Sequence, residues 1–350
     1  MSFLEVVAGQ NGSMKKTNYW WKILLITVFS SVLAILAGLS LGHIFIKVDF
    51  LETSPWLMFL IFLTLFLTLF LLESLFANGT RFGSIVIQSL LFTFGFYITK
   101  FALNFDDFTL FWNVGVFLIL LLCLWLGRLM ARKRKGDLLR LRWNEMAKSG
   151  LTLMLVGVNL FICLQWMGEI ILKPDLLLTP QTVNTILKPA TPIFKIYFGE
   201  EFKPEMRIDD FIRNLTIKQV EATLNGKKEE LVHVPQATID KQKEDLIEQN
   251  FIILKAQLSE QLKMELSGNE TFELVAFEFL NNIYQKLDVS IKQYIILIIT
   301  LLIFIVLRIA AIFVSFIIRI IGWFFYELLI ASGYVAIKYE SRNKEDLIVY

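Results

Sequence analysis

The chain has 350 residues, of which 56% are hydrophobic, 14% aromatic and only 19% charged, with a formal net charge of +2. A water-soluble core cannot hide that apolar share, and the near-neutral balance leaves no electrostatic footprint for nucleic acid. The two cysteines, Cys123 and Cys163, both fall inside apolar runs, so neither a disulfide framework nor a zinc site can be built.

Apolar residues gather into runs of bilayer-spanning length. The runs predict spans over 23–46, 56–77, 82–103, 110–130, 151–172 and 294–313, each near the roughly 20 residues that carry a helix across about 30 Å. The first run is too long for a signal-peptide core and is read as a retained span, and the Met-Ser start does not suggest myristoylation. Five spans follow one another closely, and connections of a few residues make neighbours antiparallel. The expected fold class is therefore all-α: a polytopic transmembrane helical bundle with an inserted extracytoplasmic, mainly helical domain. The expected organisation is a cytoplasmic N-terminus (1–22), a five-span bundle (23–172), the inserted domain (173–292), a sixth span with an interfacial or re-entrant helix (293–337) and a C-terminal tail (338–350).

Orientation follows from the short loops, which retain Lys and Arg on the cytoplasmic side. Lys15, Lys16 and Lys22 precede the first span, Arg81 lies in the second-to-third turn, and Arg132, Lys133, Arg134, Lys135, Arg140, Arg142 and Lys148 follow the fourth. The other side carries Asp49, Glu52, Asp106 and Asp107, with only Lys47 and Lys100 nearby. The N-terminus is then inside and 173–292 outside, in the plasma (cytoplasmic) membrane. Trp20, Trp21, Trp56, Trp112, Trp143 and Trp166 fall at the predicted borders, as an aromatic belt would place them. After Arg308 the stretch 314–337 contains Arg319, Gly322, Glu327 and Gly333. It reads as an interfacial or re-entrant helix, with a seventh span as the alternative.

In the inserted domain, Pro180, Pro189 and Pro192 predict short helices or turns on the bundle's outer surface. Three amphipathic helices follow. Their stripes are Ile208, Phe211, Ile212, Leu215 and Val220; Ile247, Phe251, Leu254, Leu258 and Leu262; and Leu274, Leu280, Ile283, Tyr284 and Leu287. Thr271 is the expected N-cap of the third, and no Pro or Gly interrupts the path from it to Arg308, so one helix could run from this domain into the membrane.

No Walker A loop, dinucleotide-binding glycine pattern, HExxH helix or GxSxG elbow is present. His43 and His233 have no neighbouring ligand residues, and the adjacent acid pairs point about 100° apart on a helix, so no catalytic, cofactor or metal residue is assigned. The polar residues within spans are the candidates: Glu73, Gln88, Arg128, Asn159, Gln165, Glu169 and Arg308. Glu73, Arg128 and Glu169 lie near span borders and are expected to reach water, while Asn159, Gln165 and Gln88 are expected to join helices. Ser30, Ala34, Gly38 and Gly42, spaced by four, form a small-residue row for close helix packing. The function that fits is a membrane scaffold, sensor or assembly protein whose outer domain binds another membrane or envelope protein, or a second copy, with the lipid bilayer as its other partner. A channel or transporter subunit is the alternative and a membrane-embedded enzyme the third. No cofactor is expected.

Overall fold

The computed structural model describes residues 20–46, 53–76, 82–101, 108–138, 142–172, 177–226, 236–340 and 344–349. The chain divides into two compact units, Met1–Glu169 with Ile296–Tyr350, and Ile170–Ile295. The helices are α1 (Trp20–Ile46), α2 (Thr53–Phe76), α3 (Phe82–Phe101), α4 (Phe108–Asp137), α5 (Trp143–Leu172), α6 (Pro180–Phe198), α7 (Ile208–Gly226), α8 (Gln236–Leu262), α9 (Phe272–Lys286) and α10 (Val289–Ala331). Among the described residues, α1–α5 and α10 are long and apolar enough to cross a membrane, so the protein is a multi-pass membrane protein with a helical bundle.

The first unit is packed by aromatic side chains and small residues. Phe66, Phe70, Phe92, Phe96 and Phe161 are fully buried at its centre, with Phe92 and Phe96 each edge-on to Phe161. Helices approach closely where a side chain is missing. A Cβ added to Gly38 would collide with the Phe92 carbonyl of α3, one added to Gly42 would strike Thr99, and one added to Gly95 would strike the Ile35 carbonyl of α1. The row Ser30, Ala34, Gly38 and Gly42 thus has α3 as its neighbour, a partner the row itself could not name. A second close crossing joins α4 to α5, where a Cβ on Gly127 would stand 2.8 Å from the Gly150 carbonyl oxygen.

The stretch expected as a sixth span followed by a separate helix is one continuous helix. α10 has 43 residues, about 65 Å at 1.5 Å each, with no break near residue 313 and no re-entrant turn. The later part of α10 packs on α5. Trp143 lies flat over Gly322, where a Cβ would enter its ring, donates from Nε1 to the Arg319 carbonyl at 2.9 Å and stacks on Tyr326. Just beyond α10, the Tyr334 hydroxyl donates to the Lys22 carbonyl at 2.7 Å, and the Lys22 ammonium sits 4.4 Å above the Tyr334 ring. The start of α1 and the end of α10 therefore lie at the same end of the bundle, as six crossings require and seven would not. The C-terminal tail is not irregular: Val335–Glu340 (β1) pairs antiparallel with Lys344–Val349 (β2), Val335 opposite Val349.

The inserted unit differs from expectation in two places. The proline-rich stretch is a single helix, α6, not a set of turns. Thr179 caps it, its hydroxyl accepting the Thr182 N–H, and Pro180 occupies the first turn where no amide donor is needed. Pro189 and Pro192 lie inside it, each removing one backbone hydrogen bond. Its last turns and the segment after it supply Phe194, Phe198 and Phe202, which with Phe211 and Phe272 form a ring cluster at centroid spacings near 5 Å. Ile208, Ile212, Leu266 and Val275 complete this core, with Phe251, Leu254, Leu258 and Leu262 packed against it from α8. Second, no helix runs unbroken from Thr271 to Arg308. α9 ends at Lys286, Leu287 turns to extended geometry, and α10 begins after Asp288, whose carbonyl accepts the Lys292 N–H. Of the third predicted stripe Tyr284 is buried, whereas Leu280 and Ile283 are exposed.

Candidate functional site

Charged side chains inside a bilayer need partners, because hydrocarbon offers neither water nor counter-ions. α2 is apolar over almost its whole length, and Glu73 in its last turn sits among Leu71, Leu72 and Leu75. Its carboxylate is 0% exposed and does not reach water, and Arg128 on α4 is 1% exposed. The expectation that both reach solvent at the span borders is corrected by their geometry. Arg128 Nη2 lies 3.0 Å from Glu73 Oε1, and the two form a buried ion pair. Burial of one charge is tolerated because the other is buried beside it.

Neighbouring helices complete the cluster. Gln88 on α3 donates from Nε2 to Glu73 Oε2 at 2.9 Å, Arg128 Nη1 donates to Ser84 Oγ at 2.9 Å, and the Phe70 ring lies 5.2 Å from the guanidinium carbon. Further along α4, Arg132 Nε donates to the Ser74 carbonyl at 2.8 Å and Lys135 Nζ to the Leu75 carbonyl at 3.0 Å. These carbonyls end α2 and have no partner within the helix, so the two cations cap its negative pole. Among the described residues, Arg128 Nε and the Gln88 amide oxygen are buried without a hydrogen-bond partner. The cluster ties α2, α3 and α4 together at one end of the bundle.

Gln165 on α5 anchors a second polar group, donating to the Tyr97 hydroxyl and to Asn113 Oδ1 at 3.3 Å. Trp112 lies beside it: its Nε1 donates to the Leu164 carbonyl at 3.0 Å, and its ring fills the space left by Gly168. Glu169 is half-buried one turn beyond Gln165. Asn159 is buried, and its amide nitrogen has no partner among the described residues. Arg308 stands apart from both groups, in a cleft between α5 and α10. His43 is exposed on α1, while His233 and Asp106-Asp107 lie outside the described residues. No group of three or more His, Cys, Asp or Glu that could hold a metal occurs among the described residues.

Sequence reasoning missed the contacts of Arg132 and Lys135 to the last carbonyls of α2 and the seat of Trp143 against α10. A backbone acceptor carries no sequence signal and tryptophan has many uses in a span, so only the helix packing chooses among them. Comparison with protein-family models, with curated proteins and with solved structures yields no match.

Proposed function

We propose that the protein is a scaffold or assembly component of the plasma membrane, in which the bundle anchors and the inserted unit binds another envelope protein or a second copy of the chain. The basic residues Lys22, Lys133, Arg134, Arg142 and Lys148 gather at one end of the bundle, which the positive-inside rule assigns to the cytoplasm. The inserted unit, leaving from the far end of α5 and returning through α10, is then extracytoplasmic.

The observation that carries the reading is the apolar surface this unit leaves uncovered although its own core is complete. Ile196 and Tyr197 on α6 are 80% and 77% exposed, beside exposed Ile193, and Ile252 and Ile253 are exposed on α8. Apolar side chains grouped in this way mark contact surfaces. The bundle, by contrast, has its centre filled with phenylalanine, which supports an anchor rather than a conduit. A photo-crosslinking amino acid placed at Ile196 and at Ile252 in intact membranes tests this. Adducts to a second protein, or at twice the chain's mass, are expected. Absence of adducts at both sites, together with solute or ion flux in reconstituted vesicles, would overturn it.

One observation favours the second reading, a channel or transporter subunit: the buried Glu73–Arg128 pair, since ionisable residues within the bilayer commonly mark ion paths. Flux that Glu73→Gln abolishes would select that reading.

A further inference from the structure

Three cations line one cleft between α5 and α10. Lys148 stands exposed at its rim, with half-buried Arg319 across from it and half-buried Arg308 eleven residues further along α10. Eleven residues of α-helix turn through a near-whole number of turns, so Arg308 and Arg319 lie on the same face, about 16 Å apart along the axis. The Ser315 hydroxyl adds a donor, Thr152 lines the cleft with its own hydroxyl donating to the Lys148 carbonyl at 3.2 Å, and Leu155 forms an apolar wall. The cleft measures about 260 Å³. Arg319 is held in place: its Nε lies 3.3 Å from the Ser315 carbonyl and its Nη1 3.3 Å from Asn144 Oδ1, both neutral acceptors. The lining contains no carboxylate, and among the described residues neither Lys148 nor Arg308 is paired with one.

Three like charges lining one cleft repel one another, more so where water is excluded. Elsewhere the bundle pairs its deep arginine with a carboxylate; here the compensating anion is not supplied by the described chain. The side of the cleft is flanked by exposed Ile309 and Ile312, at 55% and 66%, so it opens on an apolar surface that acyl chains would cover. Basic pockets between membrane helices that combine these features hold anionic headgroups.

We propose that this cleft binds a phosphate group, with Arg308, Arg319 and Lys148 as its cations and Ser315 as a hydrogen-bond donor. The apolar flank favours a membrane phospholipid as the source over a soluble phosphate ester. Arginine forks suit two phosphate oxygens at once, and the lysine at the rim meets the headgroup as it enters from the side.

Native mass spectrometry and thermal unfolding of the full chain in a neutral detergent test the site, with four additions: phosphatidylglycerol, phosphatidylcholine, glycerol 3-phosphate and inorganic phosphate. The expected result is retained phosphatidylglycerol with a raised unfolding temperature, and weaker retention of phosphatidylcholine. Lys148→Gln and Arg308→Gln should each lower retention about five-fold, the effect of one cation near an anionic headgroup. Among the described residues neither side chain makes a hydrogen bond or an ion pair, so both variants should fold, and Lys133→Gln at the same end should change nothing. Stabilisation by glycerol 3-phosphate and inorganic phosphate that Arg308→Gln removes would support the phosphate site with a soluble source. Equal retention of both lipids, or phosphatidylglycerol retention unchanged in both variants with no effect of the soluble phosphates, would overturn the proposal.

Discussion

Removing the negative member of the buried pair gives the sharpest test of how the bundle holds its charges. Glu73→Gln keeps the shape and the Gln88 contact but leaves the Arg128 guanidinium buried without a counter-charge. Breaking one partner of a buried ion pair costs about 3–5 kcal/mol. At about 2–4 °C per kcal/mol for a unit of this size, the unfolding temperature should fall by about 6–20 °C. Arg128→Gln should cost a similar amount. Glu73→Leu with Arg128→Met removes both charges and strands only the Gln88 amide donor, a cost of about 1–3 kcal/mol. The double variant should therefore be more stable than either single one, or equal to it, although the sum of the singles is about 6–10 kcal/mol. The chain carries its own reporter, since Cys123 and Cys163 are free and buried and react with a thiol-sensitive dye only on unfolding. Single variants within about 1 kcal/mol of the wild type, or costs that simply add, would refute the pairing.

Other expectations are smaller in scope. Gly42→Leu should push α1 from α3 and unfold the bundle at lower temperature, while Gly83→Leu, where an added Cβ meets nothing within 4 Å, should not. Phe202→Ala should destabilise the inserted unit by about 3–5 kcal/mol, read as the loss of its protease-resistant fragment, because that ring is 2% exposed among four others. In the turn before α9, the Ser267 side chain and the backbone N–H groups of Gly268 and Ser267 hold the Glu270 carboxyl below its ordinary range. A depressed carboxyl stabilises the fold at pH above its unfolded value and loses that contribution as pH falls through its folded value. Glu270→Gln should accordingly weaken the turn at neutral pH and make no difference under strongly acid conditions, as followed by amide exchange at Gly268.

The spans were readable because twenty apolar residues in a row admit few other fates, and the stripe on α7 was readable because Ile208, Phe211, Ile212 and Val220 recur at helical spacing and are buried. The site was not. Glu73 and Arg128 are 55 positions apart, and each alone looks like a border residue with water in reach. Whether such residues reach out or turn inward is decided by the neighbouring helix, and a single strand of letters does not carry that information. The same holds for Trp143, whose buried seat over Gly322 the letters do not announce. Pro189 and Pro192 pointed away from helix correctly by local rules, yet the packing of Phe194 and Phe198 overrode them. The hairpin of β1 and β2 escaped because its strands are six residues long and follow directly on an apolar helix.

A scaffold of the kind proposed requires the bundle's basic end to face the cytoplasm and the inserted unit to face away from it. Single cysteines at the exposed positions Lys133 and Glu248, in a background with Cys123 and Cys163 replaced, measure this directly with an impermeant thiol reagent. Glu248→Cys should be labelled in intact cells and Lys133→Cys only after permeabilisation. Labelling of Lys133→Cys from outside, with Glu248→Cys protected, would contradict it.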